Sequence, residues 1–201
     1  MIICENTLLQ NGGEVLDYRS NDLILEEDTR AKHYLQIKSG TVKMNTINSE
    51  GKEFLYGLPF RGHCIAESYI FSDKKYPFNA IATSNCKIIK LEKNKFLDLM
   101  IKAPTLLMDV FAYAAERIHY KNLILSTLGI TGSLERLTVL LNYIKEFYML
   151  ENHEPFIIPF TRQQLASLSG LRLETIIRTV KKWNVLIYWP LLMEKFLIDI
   201  L

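Results

Sequence analysis

Between Thr161 and Trp183 the chain carries five basic residues, Arg162, Arg172, Arg178, Lys181 and Lys182, against one acid, Glu174. That stretch alone has a charge of +4, whereas the whole chain has only +2. Clustered cations of this kind are the electrostatic footprint of phosphate contact. Glu174 and Arg178 are four residues apart and so share a helical face. A carboxylate there can accept a hydrogen bond from cytosine N4, and a guanidinium fork can donate to guanine O6 and N7. The plain alternative is a solvated ion pair worth about 0.3 to 0.5 kcal/mol.

Such side chains need an element that holds them outward. Thr161-Arg162-Gln163-Gln164 has the form of a capping box, with the Thr161 hydroxyl placed to accept an early helical N–H and Gln164 placed to reach back. A short helix therefore starts there, buries Leu165 and Leu168, keeps small Ala166 where another helix approaches, and stops at Ser169-Gly170. In the next helix Leu171, Ile176, Val180 and Trp183 face inward. Glu174, Thr175, Ile177, Arg178, Lys181 and Lys182 are left outward. Two short helices joined by a tight turn containing Gly form a helix-turn-helix, whose second helix enters the major groove. An ordinary helical hairpin is the competing reading.

Further upstream, Leu107, Phe111, Ala114, Ile118, Lys121, Leu125 and Leu128 advance in alternating steps of four and three, an a/d heptad register interrupted only by Lys121. Pro104 opens that helix. A second stripe, Leu106, Val110, Tyr113 and Ile124, would face the chain's own domain while the heptad seam faces a second copy. Thr131-Gly132-Ser133 reads as a hinge, and Leu134 to Tyr148 as a core helix. Glu151 to Pro159 reads as a loop with a short strand. From Asn11 to about Leu91 the pattern is short apolar runs (EVLDY, DLILEE, HYLQIKSG, TVKMNTI, EFLYGL, FNAIATS, CKIIKL) divided by turn residues, the mark of an antiparallel sandwich or roll. Asn48 to Gly51 is the best hairpin candidate.

Composition narrows the classes. With 201 residues, 49% apolar and 23% charged, the chain is long and apolar enough for one large or two small folded domains. It has no long uncharged apolar run and no signal-peptide pattern at MIICENTLLQ, so a cytoplasmic, non-membrane protein is expected. Cys4, Cys64 and Cys86 are too few and too scattered for an iron–sulfur cluster with four cysteine ligands. His33 and His63 stand alone, outside HxH or HxxxxE arrangements, so neither a metal site nor haem is indicated.

The run Thr161 to Ala166 through Gly170, followed by Glu174-Thr175-Ile176 and Arg178, resembles the helix-turn-helix of the Crp/Fnr family of bacterial transcription regulators. Tyr34 to Met44 is similar to a strand pair of that family's cyclic-nucleotide-binding-type β-roll, Glu50 to Glu53 to its hairpin, residues 104 to 128 to its dimerisation helix, and LIYWPLLMEKFLIDIL to its β-wing, with Leu186 to Trp189 and Phe196 to Ile200 as strands. The resemblance implies an α+β fold: an N-terminal antiparallel β-roll (cyclic-nucleotide-binding-like jelly roll) at 1–101, a long dimerisation helix and hinge at 102–131, and a C-terminal winged helix-turn-helix at 132–201. It further implies a homodimer, not an enzyme, that binds palindromic double-stranded DNA with TTGA-like half-sites and contacts RNA polymerase if it activates. Thr161, Arg162, Arg172, Leu173, Glu174, Thr175, Ile177, Arg178, Lys181 and Lys182 are the expected DNA-binding set, with Glu174 and Arg178 as base readers.

Departures from the family pattern carry their own expectations. Where cyclic-AMP-binding members hold the ribose with Gly-Glu and the cyclic phosphate with Arg-Ser, this chain has Ala66-Glu67 and Tyr76-Pro77. A phosphate buried without that arginine would be poorly compensated, which argues against cyclic AMP. The expected effector is an unknown small organic molecule, and no cofactor is assigned. Its candidate pocket residues are Ile65, Glu67, Ser68, Tyr76, Phe78, Tyr113, Arg117 and Tyr120. In the second helix Leu173 is similar to the Fnr subgroup, and Ile177 departs from that subgroup's Ser. Arg172 replaces a Ser or Thr helix cap, a loss of about 1 kcal/mol. The alternatives are a cupin-like small-molecule-binding or metal-dependent β-barrel protein and an effector-independent regulator.

Overall fold

Alternating apolar residues between turn residues build seven antiparallel strands over the first ninety or so positions: β1 Glu14–Tyr18, β2 Leu23–Leu25, β3 His33–Ser39, β4 Val42–Ile47, β5 Glu53–Gly57, β6 Asn79–Ala82 and β7 Cys86–Glu92. The computed structural model describes residues 2–51, 53–127, 129–147 and 160–186. The strands form a three-stranded sheet in the order β1-β7-β3 and a four-stranded sheet in the order β2-β6-β4-β5. β4 and β5 are joined by the expected hairpin, where the Gly51 N–H donates to the Asn48 carbonyl at 2.9 Å and the Glu50 N–H to the Asn48 side-chain oxygen at 3.1 Å. Val42, Met44, Ala80, Ala82, Ile37 and Ile88 contribute to one continuous apolar core. Among the described residues no helix is long and apolar enough to cross a membrane.

Two elements escape the sequence patterns. A short helix, α1 (Glu5–Gln10), precedes β1, and a 3₁₀ turn spans Glu67–Phe71. The segment before α1 is held by a side chain instead of a strand. Gln36 of β3 is fully buried, accepts the Ile3 N–H at 3.1 Å and donates to the Ile3 carbonyl at 2.7 Å. The Tyr34 hydroxyl, two residues away on the same strand face, donates to Gln36 Oε1 at 2.7 Å. That face is closed further by α2 (Lys93–Lys102), whose Phe96 ring stacks on Tyr34 at 4.3 Å between centroids.

The helix α3 (Pro104–Thr127) follows. The chain divides into two compact units, residues 1–117 and 118–201, so the packing break falls inside α3. The reason is local: Leu106, Val110 and Tyr113 in the first half of α3 pack against the roll core. In the second unit α4 (Ser133–Phe147), α5 (Arg162–Ser169) and α6 (Leu173–Leu186) bury Leu137, Leu140, Leu141, Ile144, Leu165, Leu168, Ile176 and Val180. Leu186 closes α6 and does not open a wing strand, since no Gly or Pro lies between Trp183 and Leu186 to break the helix. The remainder of the expected wing, and the loop at Glu151 to Pro159, lie outside the described residues.

Replacing Gln36 with Ala would leave the Ile3 N–H and carbonyl buried without these partners. It should lower stability by about 1 to 3 kcal/mol, read as a lower urea midpoint in equilibrium unfolding.

Candidate nucleic-acid interface and roll interior

α5 begins as its sequence requires. Thr161 Oγ1 accepts the Gln164 N–H at 3.2 Å, and the Gln164 side-chain oxygen accepts the Thr161 N–H at 2.9 Å, a complete capping box. It ends at Gly170, whose φ of +68° is open to glycine at little steric cost. The Ser169 hydroxyl accepts the Leu171 N–H at 3.3 Å within the same turn. Gly170, Leu171 and Arg172 therefore link α5 to α6, and Ala166 of α5 is buried.

Seating α6 selects which of its side chains face water. Ile176, Thr179 and Val180 are buried, and the Thr179 hydroxyl lies 3.2 Å from the Ser133 hydroxyl of α4. Arg172, Glu174, Arg178, Lys181 and Lys182 are exposed, as is Thr161, while Leu173, Thr175, Ile177 and Arg162 are partly exposed. Among the described residues Glu174 and Arg178 form no ion pair with each other. Both are exposed on one helical face, as are three further cations in the same stretch of chain.

On α3 the heptad residues Leu107, Phe111, Ile118 and Leu125 are exposed, Phe111 by 66%, Ile118 by 59% and Leu125 by 62%. Lys121 is exposed and Ala114 half-buried. Leu128 lies outside the described residues. The opposite stripe is the one in contact with the roll, Val110 being almost fully buried.

Inside the roll, Ile65, Tyr76 and Phe78 belong to the apolar core. Tyr76 and Phe78 join Tyr56 and Tyr69, which the sequence pattern did not single out: Tyr56 lies 5.2 Å from Phe78, and Tyr69 lies 5.2 Å from Tyr76 and 5.8 Å from Phe78 between centroids. Burial, with Tyr69 nearby, pushes the Tyr76 hydroxyl up to about 12. Burial, then Tyr56 and Glu67, raises Tyr69. These phenols are neutral hydrogen-bonding groups near neutral pH. Glu67 is buried at the start of the 3₁₀ turn, behind Ala66 in a left-handed conformation (φ +55°). Ser68 is exposed.

The two α3 residues of the candidate pocket that lie in the first unit are anchored to the roll. The Tyr113 hydroxyl donates to the Cys64 carbonyl at 3.3 Å. Arg117 is buried and reaches the Tyr56 carbonyl at 3.5 Å. Its guanidinium lies over Gly57, where an added Cβ would sit 2.7 Å from Nη2 and make the end of the Arg117 side chain shift. Tyr120 lies in the second unit and stacks on Tyr143 of α4 at 4.4 Å. The structure thus joins Ile65, Tyr76 and Phe78 in one core, buries Glu67 at the start of the 3₁₀ turn, and stacks Tyr120 on Tyr143.

His63, an isolated histidine in the sequence, is a packing residue. Its Nδ1 accepts the Phe60 N–H at 3.4 Å, and its ring meets Phe60 and Tyr113 at 4.0 and 5.5 Å. Burial, then Arg117, lowers its pKa to about 4. Among the described residues no group of three His, Cys, Asp or Glu side chains converges as a metal site would require.

A sheet roll of the cyclic nucleotide-binding type, followed by a long helix and a helix-turn-helix, is the class of protein these features define. A model of the cyclic nucleotide-binding domain family matches residues 15–103. The cAMP-activated global transcriptional regulator CRP of Escherichia coli O6:H1 is 26% identical over 168 residues, covering 82% of this chain and 79% of that protein. The fumarate and nitrate reduction regulatory protein of Yersinia pestis is 26% identical over 155 residues, covering 76% of this chain and 62% of that protein. The c-di-GMP responsive global regulator CLP of Xanthomonas campestris has the same fold, with a TM-score of 0.73 at 16% identity over 90% of this chain and 92% of that one. Over most of its length the chain is similar to transcription regulators of the Crp/Fnr type. In place of the cupin alternative, the roll matches the cyclic nucleotide-binding domain.

His63 is neutral in the folded chain down to about pH 4, whereas in the unfolded chain it takes up its proton near 6.5. Its contribution to stability is therefore present at pH 7 and lost as pH falls from 6.5 toward 4. A His63→Gln variant should show a shallower loss of urea midpoint between pH 7 and pH 5 than the parent. An unchanged slope would assign the acid sensitivity to other groups.

Proposed function

We propose that this chain is a homodimeric, sequence-specific DNA-binding regulator whose operator affinity is set by a small molecule held in the β-roll. The observation that carries the reading is the face of α6: Glu174 and Arg178 exposed side by side, flanked by Arg172, Lys181 and Lys182, on a helix whose other side is buried against α4 and α5. Laid in the major groove, such a helix offers its first turns to base edges and its margins to phosphates. Glu174 and Arg178 read bases. Leu173 and Ile177 sit beside them, and Thr161, Arg162, Arg172, Thr175, Lys181 and Lys182 are the phosphate-facing set.

The second copy is supplied by α3. A helix surrounded by apolar residues on two sides buries only one of them on its own roll, and the exposed Leu107, Phe111, Ile118 and Leu125 stripe is suited to a two-fold partner. Dimeric symmetry makes the operator a palindrome with half-sites about one helical turn apart, for which the TTGA-like half-site remains the expectation. RNA polymerase is the further partner if the chain activates.

For the effector, Tyr76-Pro77 stands where cyclic-AMP-binding relatives place Arg-Ser, and the Tyr56, Tyr69, Tyr76 and Phe78 rings make the neighbourhood aromatic. A small organic molecule with an apolar body suits this better than a cyclic nucleotide, whose phosphate needs a charged donor. The effector would act by shifting an equilibrium between arrangements of the two DNA-binding units.

Site selection from a random DNA pool followed by gel-shift titration at two salt concentrations tests the main claim. Arg178→Ala should cost about 1 to 3 kcal/mol and relax one base position, whereas Lys181→Ala should weaken all sites evenly and lower the salt dependence. A selected sequence that survives Arg178→Ala unchanged removes Arg178 from base reading. For the dimer, Phe111→Glu places a charge in the seam and should convert the particle from dimer to monomer in sedimentation equilibrium.

A further inference from the structure

Ile177 is an apolar side chain at the edge of a polar reading face. Ile176 and Val180 already fill the buried side of α6, and Ile177 stays partly exposed, one residue from exposed Arg178, three from exposed Glu174 and four from exposed Lys181. Leu173, Ile177 and Lys181 thus follow one another at four-residue steps along the shoulder of the face that carries Glu174 and Arg178. Ile177 is the fifth residue of α6, within the turns of a recognition helix that reach base edges.

Resting on the reading of α6 as a recognition helix, we propose that Ile177 selects a thymine in each half-site through its C5-methyl group. The chemistry leaves one partner for a branched hydrocarbon at that place. Every major-groove edge presents donors or acceptors, and pressing Ile177 against those would strip their water without returning a hydrogen bond. The thymine methyl is the one apolar group in the groove, and covering it removes hydrocarbon from water on both sides. Arg178, next in sequence, holds the neighbouring base pair through hydrogen bonds, so the two residues read adjacent positions by different physical means.

Deoxyuridine differs from thymidine by that methyl alone and keeps the same hydrogen-bonding edge. The operator selected by the full-length protein is therefore synthesised with uracil replacing each thymine in turn, at the same position of both half-sites, and affinity is measured by gel shift. At one position the substitution should weaken binding by about fourfold per half-site, the effect of one uncovered methyl-sized group. With Ile177→Ala that difference should vanish, and with Ile177→Val, which keeps the branched shape and the fold, it should persist. Uracil tolerated at every position, or a methyl effect equal in Ile177→Ala and the parent, overturns the assignment. A protein that selects no sequence at all overturns the DNA-binding reading and this inference with it, whereas an Arg178-dependent operator without a methyl effect overturns this inference alone.

Discussion

Seating α3 on the roll is the constraint from which the rest follows. Leu106, Val110 and Tyr113 pack into the apolar core, and because an α-helix turns once every 3.6 residues, fixing that stripe throws Leu107 and Phe111 to the other side and into solvent. The same helix carries Arg117 to the Gly57 backbone and Tyr113 to the Cys64 carbonyl. It then continues into the second unit. One element therefore touches the roll interior and exposes an apolar seam.

The roll supports this helix through polar groups that are unusual for a core. Gln36 takes the place of a neighbouring strand for the chain's first residues, bonding both backbone groups of Ile3. The Tyr34 hydroxyl meets Gln36 and lies 2.7 Å from Cys64 Sγ. Burial pushes the Cys64 thiol well above its ordinary value, so it is an uncharged packing group in this network. Each of these buried polar groups has its partners, which lets β3 be covered on both faces without an unpaired amide.

Charge placement resolves the contradiction between a nearly neutral chain and a nucleic-acid reading. The roll through Ile101 carries 13 basic and 13 acidic residues, so it adds no net attraction for DNA. The +4 stretch places its exposed cations on α6 and just before it, Arg178, Lys181 and Lys182 on the helix and Arg172 ahead of its first residue. A chain with its charges arranged in this way has little net charge to act at long range, and its cations act through their local placement.

Much of this was legible from residue order. Period-two runs located all seven strands, the Thr161–Gln164 capping box marked the start of α5, and the four-and-three spacing picked out the exposed apolar residues of α3, because each is a local pattern at the period of its own secondary structure. What only the tertiary structure decided depends on contacts between distant parts of the chain. Gln36 tethering Ile3, Tyr56 and Tyr69 joining Tyr76 and Phe78, Gly57 making room for Arg117 and His63 becoming a neutral packing group have no local signal, since burial and partner choice are set by which strands and helices meet. The division at Arg117, inside a helix that reads as continuous in sequence, has the same origin: periodicity reports one helix, and packing determines which half of it belongs to the roll.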